Sequence, residues 1–221
     1  MAKVPIVGLV KTRLRPFLTD EQCCSLAACF LKDTVSNALK VTPNVIVAFY
    51  PPEGRAEIES LVTGEITLVE QKGDDLGERL ASAVTHAEAF GFGPVYAIGT
   101  DSPTLPSEIL KTAAESFRES DADLVLGGTR DGGYYLIGLR KMMPGIFHGV
   151  TWSSENVYRE TIENAKRIGL KNLIELPVWH DVDVPTDLVA LRNEVLADAN
   201  LQRQAPKTFM WLLSHKHVFE Q

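Results

Sequence analysis

Cysteine is scarce in this sequence and confined to one place: Cys23, Cys24 and Cys29 are the full complement of a 221-residue chain. An odd, clustered set with no C-x-x-C pair offers neither a disulfide framework nor a zinc or redox motif. The three therefore read as packing residues of a reduced, cytoplasmic protein. Long apolar runs are missing as well. No stretch of 18 apolar residues occurs, so no membrane-spanning helix is expected, and the N-terminus carries no charged-then-apolar leader pattern. Positive charge is in the minority, with 22 Lys and Arg against 29 Asp and Glu. That balance lacks the basic face that nucleic acid requires, although a mononucleotide needs only a local patch. Hydrolase signatures of the G-x-S-x-G and H-E-x-x-H kinds are absent. The nearest approach to a P-loop, Gly8-Leu9-Val10-Lys11-Thr12, has Val10 where a glycine must precede the lysine.

What is present is enough apolar residue, 45%, for a substantial core. The apolar pattern alternates between two periods. Thr19-Asp20-Glu21-Gln22 reads as a capping box opening a helix that runs to about Lys40. Asn44 to Tyr50 is a buried strand closed by two prolines, and a short helix follows from Arg55 to about Val62. Ile66 to Val69 is a strand, Asp75 to Phe90 a helix and Pro94 to Gly99 another buried strand. A helix entered at Pro106 runs to about Glu119. This βαβα rhythm predicts a parallel sheet covered by helices. Asp123 to Leu126 and Tyr134 to Leu139 are then strands with no helix between them, which predicts a mixed sheet with an antiparallel edge. Ser154 to Ile168 is a helix, capped by Ser153 or Ser154, Leu173 to Val178 a strand, and Thr186 to Asp198 the last helix of the core. Residues 1–199 read as one domain. The tail, 200–221, reads as a docked helix or a homodimer contact.

Five segments carry candidate chemistry. Lys3-x-Pro5-x-x-Gly8-x-Val10-Lys11-Thr12-Arg13-Leu14 sets several cations around a glycine turn before the first acid, Asp20. Gly8, Lys11 and Arg13 can converge on a phosphate chain from one extended segment, lysine as a point charge and arginine as a planar fork. The plainer reading is a solvated basic terminus. Gly99-Thr100-Asp101-Ser102-Pro103 ends a buried strand and presents Asp101 at the sheet's carboxyl edge, where α/β proteins bind ligands. Magnesium or manganese takes few protein carboxylates, so Asp101 with one acid of Asp181-Val182-Asp183 forms a candidate divalent-metal pair, the other acid being free to hold a basic residue; these acids also suit turns at helix starts. Lys72 to Arg79 is a glycine-rich loop entering a helix, in which Gly73 and Arg79 can shape a nucleotide pocket. Asp131, in Asp131-Gly132-Gly133-Tyr134-Tyr135, is a candidate to orient an acceptor or act as a base, against the plainer reading of a hairpin turn.

These blocks, in this order from Ala2 to Leu191, resemble a bacterial family of glycosyltransferase-like proteins, the DUF2064 type. It is related to phospholactate guanylyltransferase and molybdopterin guanylyltransferase. The resemblance implies the three-layer αβα nucleotide-diphospho-sugar transferase fold, also called GT-A, with a mostly parallel mixed sheet. It also implies phosphate binding by Lys11 and Arg13, and metal binding by Asp101 and Asp183. Relatives carry several apolar residues before the equivalent of Ala2-Lys3, so the first strand reads as truncated here. The function implied is metal-dependent transfer of a sugar from a nucleotide-diphospho-sugar to a small acceptor. The alternatives are nucleotidyl transfer with release of pyrophosphate, and nucleotide binding without turnover. No nucleic-acid or membrane partner is expected.

Overall fold

The computed structural model describes residues 1–15 and 17–220, so Gln221, the end of the expected tail, lies outside the described residues. The chain divides into two compact units. One comprises residue 1 with 69–99 and 108–180, and the other comprises 2–68, 100–107 and 181–221.

The first unit is built on a four-stranded sheet. Its strands are β4 (Val95–Ile98), β5 (Leu124–Thr129), β6 (Tyr134–Leu139) and β7 (Leu173–Trp179), in the order β4-β6-β5-β7. β6 is antiparallel to both β4 and β5, and β5 is parallel to β7, so three of the four strands run one way. The antiparallel strand was expected at an edge. It lies inside: the four-residue turn 130–133 returns β6 beside β5, and β4 pairs with the other edge of β6. The period-two alternation of side chains assigns the two faces. Leu124, Leu126, Ile137 and Leu139 meet Leu80 and Val84 of α3 (Leu76–Ala89) and Ala165 of α5 (Val157–Arg167) in one core. On the other face Gly138 lies against Tyr96 and Phe117, so that α4 (Ser107–Glu119) covers that side; a Cβ at Gly138 would collide with the Tyr96 ring. Arg140 then closes the end of α4, donating to the carbonyls of Phe117, Ser120 and Ala122.

Helix α5 begins three residues later than the sequence predicts. Ser154 turns its hydroxyl onto Thr151 O and accepts from Asn156 N–H, and Ser153 takes a left-handed conformation at φ 62°. The serines therefore build a turn ahead of the helix, and neither caps it.

The second unit contains β1 (Ala2–Lys3), β2 (Val45–Tyr50) and the start of β3 (Ile66–Glu70), in the order β1-β2-β3, with β1 parallel to β2. Helix α1 (Asp20–Leu39) is its axis, and the predicted capping box at Thr19 and Gln22 is formed. Two sides of α1 are buried. Leu31 and Val35 pack with Val47 and Phe49 of β2 and Ile58 of α2 (Arg55–Leu61). Cys23, Leu26 and Phe30 pack with Val182, and with Leu188, Leu191 and Val195 of α6 (Pro185–Ala197). The tail continues as α7 (Ala199–Gln204) and α8 (Pro206–Ser214), and Trp211 and Leu212 enter the same core. Among the described residues no helix is long and apolar enough to cross a membrane.

Candidate functional site

The geometry of the site in the second unit starts from an apolar residue. Val182 is fully buried between Asp181 and Asp183, in the cluster of Leu14, Leu26, Phe30 and Leu188. Its N–H donates to Asp101 O at 3.0 Å, which stitches the segment after β4 to the segment before α6. Asp187, in the first turn of α6, reaches back and accepts from the N–H groups of Asp183 (3.0 Å) and Val184 (2.9 Å). The backbone carrying Asp183 is thus held by a core side chain on one side and a carboxylate on the other.

Lys11 completes the group. The expected extended basic segment is instead a turn followed by a single 3-10 turn, Thr12–Leu14. Gly8 supplies a positive φ of 80°, and its carbonyl accepts from Arg15 Nη2 at 2.6 Å. Lys11 itself is left-handed, at φ 48° and ψ 34°. Its carbonyl accepts from Leu14 N–H and from the Cys23 thiol. Its side chain passes the Phe30 ring, and the ammonium nitrogen lies 5.4 Å from the ring centroid. That nitrogen bonds Val182 O at 2.7 Å, lies 3.4 Å from Asp183 Oδ1 and pairs closely with Asp101 Oδ1. The side chain of Lys11 is 7% exposed, against 51% for Asp101 and 35% for Asp183.

The electrostatics follow from this packing. Burial alone would pull the Lys11 pKa down. The charges of Asp101 and Asp183, with the hydrogen bonds to both, outweigh it and hold the value above that of an ordinary lysine. The group is a cation at every physiological pH. Arg13 is the outward member of the cluster, 68% exposed, with Nη1 3.3 Å from Asp183 Oδ2. Arg15 turns aside to Asp20, Nε to Oδ1 at 2.7 Å.

Lys11, Arg13, Asp101 and Asp183 are therefore one constellation, with Gly8 in the turn that leads into it. The other candidates lie in the first unit and have local partners. Gly73, at φ 135°, makes the turn before α3, where a Cβ would collide with Glu78. Arg79 Nε donates to Gly73 O at 3.0 Å, while Asp75 caps α3 through Glu78 N–H. Asp131 accepts from the Thr129 hydroxyl at 2.5 Å and Gly133 N–H at 3.1 Å, and so braces the turn between β5 and β6. The sequence reading missed Val182, Asp187 and Phe30. An aliphatic residue between two acids, and an acid at the third position of a helix, were the available signals.

Two Asp carboxylates that converge on one cation and keep exposed surface are hard oxygen donors, the class that magnesium and manganese prefer. The donor set fits such an ion.

The comparisons agree with the fold. A crystal structure from Desulfovibrio desulfuricans, of a protein provisionally assigned as a nucleotide-diphospho-sugar transferase, superposes with a TM-score of 0.90 at 28% identity. The match covers 100% of this chain and 94% of that one. A cytidylyltransferase from Leptospira borgpetersenii matches at 13% identity and a TM-score of 0.56, over 98% of this chain and 93% of that one, which is likeness of fold. The chain has the nucleotide-diphospho-sugar transferase fold that its motifs imply. No curated protein matches it. The family model described as "uncharacterized protein conserved in bacteria", DUF2064, matches residues 34–154, more than half of the sequence, and the chain belongs to that family.

Proposed function

We propose that this protein is a glycosyltransferase: it takes a sugar from a nucleotide-diphospho-sugar and passes it to a small acceptor, with Mg2+ or Mn2+ held by Asp101 and Asp183. The observation that carries the reading is the full-length likeness to the Desulfovibrio protein, at an identity that fold alone does not require. The constellation around Lys11 supports it chemically. When bound, the metal supplies positive charge against the diphosphate that leaves with the nucleotide. The chain's own residues do the rest. Arg13, exposed beside Asp183, offers a planar fork of donors to phosphate oxygens. Asp187 and Val182 fix the backbone of Asp183, so the carboxylate is in place before the substrate arrives and little ordering is left for the moment of reaction.

Binding tests the reading. Thermal-shift titrations with UDP-, GDP- and dTDP-sugars and with NTPs, with and without Mn2+, are expected to show stabilisation by one nucleotide-sugar that depends on the metal. Asp101→Asn should lose the metal-dependent part while melting near the wild type in the absence of ligand. A Mn2+ dependence unchanged by Asp101→Asn would refute the metal assignment. A response confined to an NTP would replace sugar transfer with nucleotidyl transfer.

A further inference from the structure

Lys11 was expected to hold a phosphate, yet its ammonium points inward and has almost no surface to offer one. Its three acceptors are a buried carbonyl, Val182 O, and the two carboxylates assigned above to a divalent ion. The placement is specific. A left-handed non-glycine backbone is unfavourable, and here it is held on both sides, by the bonds to Lys11 O and by the burial of the side chain against Phe30. An ammonium bonded to Asp101 and Asp183 and a dication bound to the same carboxylates would be like charges a few ångströms apart. At that range they repel strongly even where water screens them. Ammonium and metal ion cannot both make their full contacts with this pair.

We infer that Lys11 is the resting occupant of the cation position, a tethered ammonium that pairs Asp101 with Asp183 in the ligand-free protein and yields them when a divalent ion binds. The inference rests on the reading that these two aspartates take the metal. Val182 O is the anchor that lets the ammonium withdraw without losing every partner. The arrangement makes metal uptake weak on its own. It favours uptake together with a nucleotide diphosphate, whose negative charge offsets the crowding of two cations. It also holds two carboxylates in register while no metal is there to do so.

The test is Mn2+ binding without nucleotide, by calorimetry, for the wild type, Lys11→Met and Asp101→Asn. Methionine keeps an unbranched stem, one atom shorter, and removes the charge. Lys11→Met is expected to bind Mn2+ about tenfold more tightly than the wild type, the scale set by removing one like charge at this distance. Mn2+ should also raise its melting temperature by more than it raises the wild type's. Equal or weaker binding in Lys11→Met, with binding abolished in Asp101→Asn, would overturn the inference and leave the metal site standing. No Mn2+ binding by any of the three would remove the metal reading and the inference with it. If Lys11→Met does not fold, wild-type protein carrying 13C-labelled lysine and titrated with Mg2+ decides the matter. The Lys11 side-chain resonance, identified by its loss in Lys11→Arg, should move with saturation, and a resonance that stays fixed would overturn the inference.

Discussion

At the residue scale, position is set by neighbours that carry no chemistry themselves. Asp187 is the clearest case: it touches two backbone N–H groups and places Asp183. Asp187→Ala leaves both donors without their carboxylate, at a cost of about 1–3 kcal/mol. It also frees the segment that carries Asp183. The expected result is a lower denaturant midpoint together with metal affinity reduced several-fold, read by calorimetry; stability that falls with metal binding untouched would separate the two. Lys11, Arg13, Asp101 and Asp183 were legible as candidates, because charge beside a glycine turn and acids after a buried strand are local features. That Lys11 faces the two acids was not legible. It depends on a contact across 171 residues of sequence, to Val182 O, and on burial that no spacing reports. The cysteines were legible as packing groups. All three are free thiols, and burial raises each pKa, that of Cys29 to about 11 with help from the Asp33 charge. Little of any of them is thiolate at neutral pH.

At the element scale, α1 organises its unit and holds the tail. Asp33, buried on α1, accepts from the N–H groups of Lys207 (3.0 Å) and Thr208 (2.8 Å), and so caps α8 from a different helix. Asn37, one turn on, donates to Gln204 O at the end of α7. Asp33→Ala leaves two helix-end donors buried without partners and is expected to cost about 2–4 kcal/mol, seen as a lower denaturant midpoint and selective loss of amide protection in α8. The pH dependence has a definite sign. Burial raises the Asp33 pKa above its ordinary 3.8, against the lowering effect of its hydrogen bonds. An acid whose folded pKa exceeds its unfolded one loses stability as pH rises from the unfolded value through the folded one. Asp33→Asn should lack that loss, so the wild type's stability relative to it should decline as pH rises above about 4. A flat difference would contradict the assignment. The sequence showed α1 almost to the residue because its capping box and apolar spacing are local. It misplaced the start of α5, since serine hydroxyls serve turns as readily as helix caps. The tail's division into α7 and α8 follows from Pro206 at the start of the second helix, and its docking depends on Asp33, far away in sequence.

At the scale of the whole molecule, the fold was legible because period-two and helical patterns alternate cleanly and five motif blocks occur in order. The interior place of β6 was not, since hairpin length says which strand pairs and leaves open what flanks the pair. What is legible reaches the nucleotide-diphospho-sugar transferase fold, and the activity is the reading proposed above. The donor, acceptor and metal belong to ligands, and no residue type names them. The central claim is that the bond broken lies between sugar and diphosphate. The direct measurement is the nucleotide product of turnover, resolved by anion-exchange chromatography with Mn2+ present, for a panel of nucleotide-sugars and NTPs offered with a mixture of small hydroxyl and phosphorylated acceptors. The account predicts that a nucleoside diphosphate accumulates from one nucleotide-sugar, and that Asp101→Asn abolishes it. Pyrophosphate released from an NTP, with no diphosphate from any nucleotide-sugar, would contradict it.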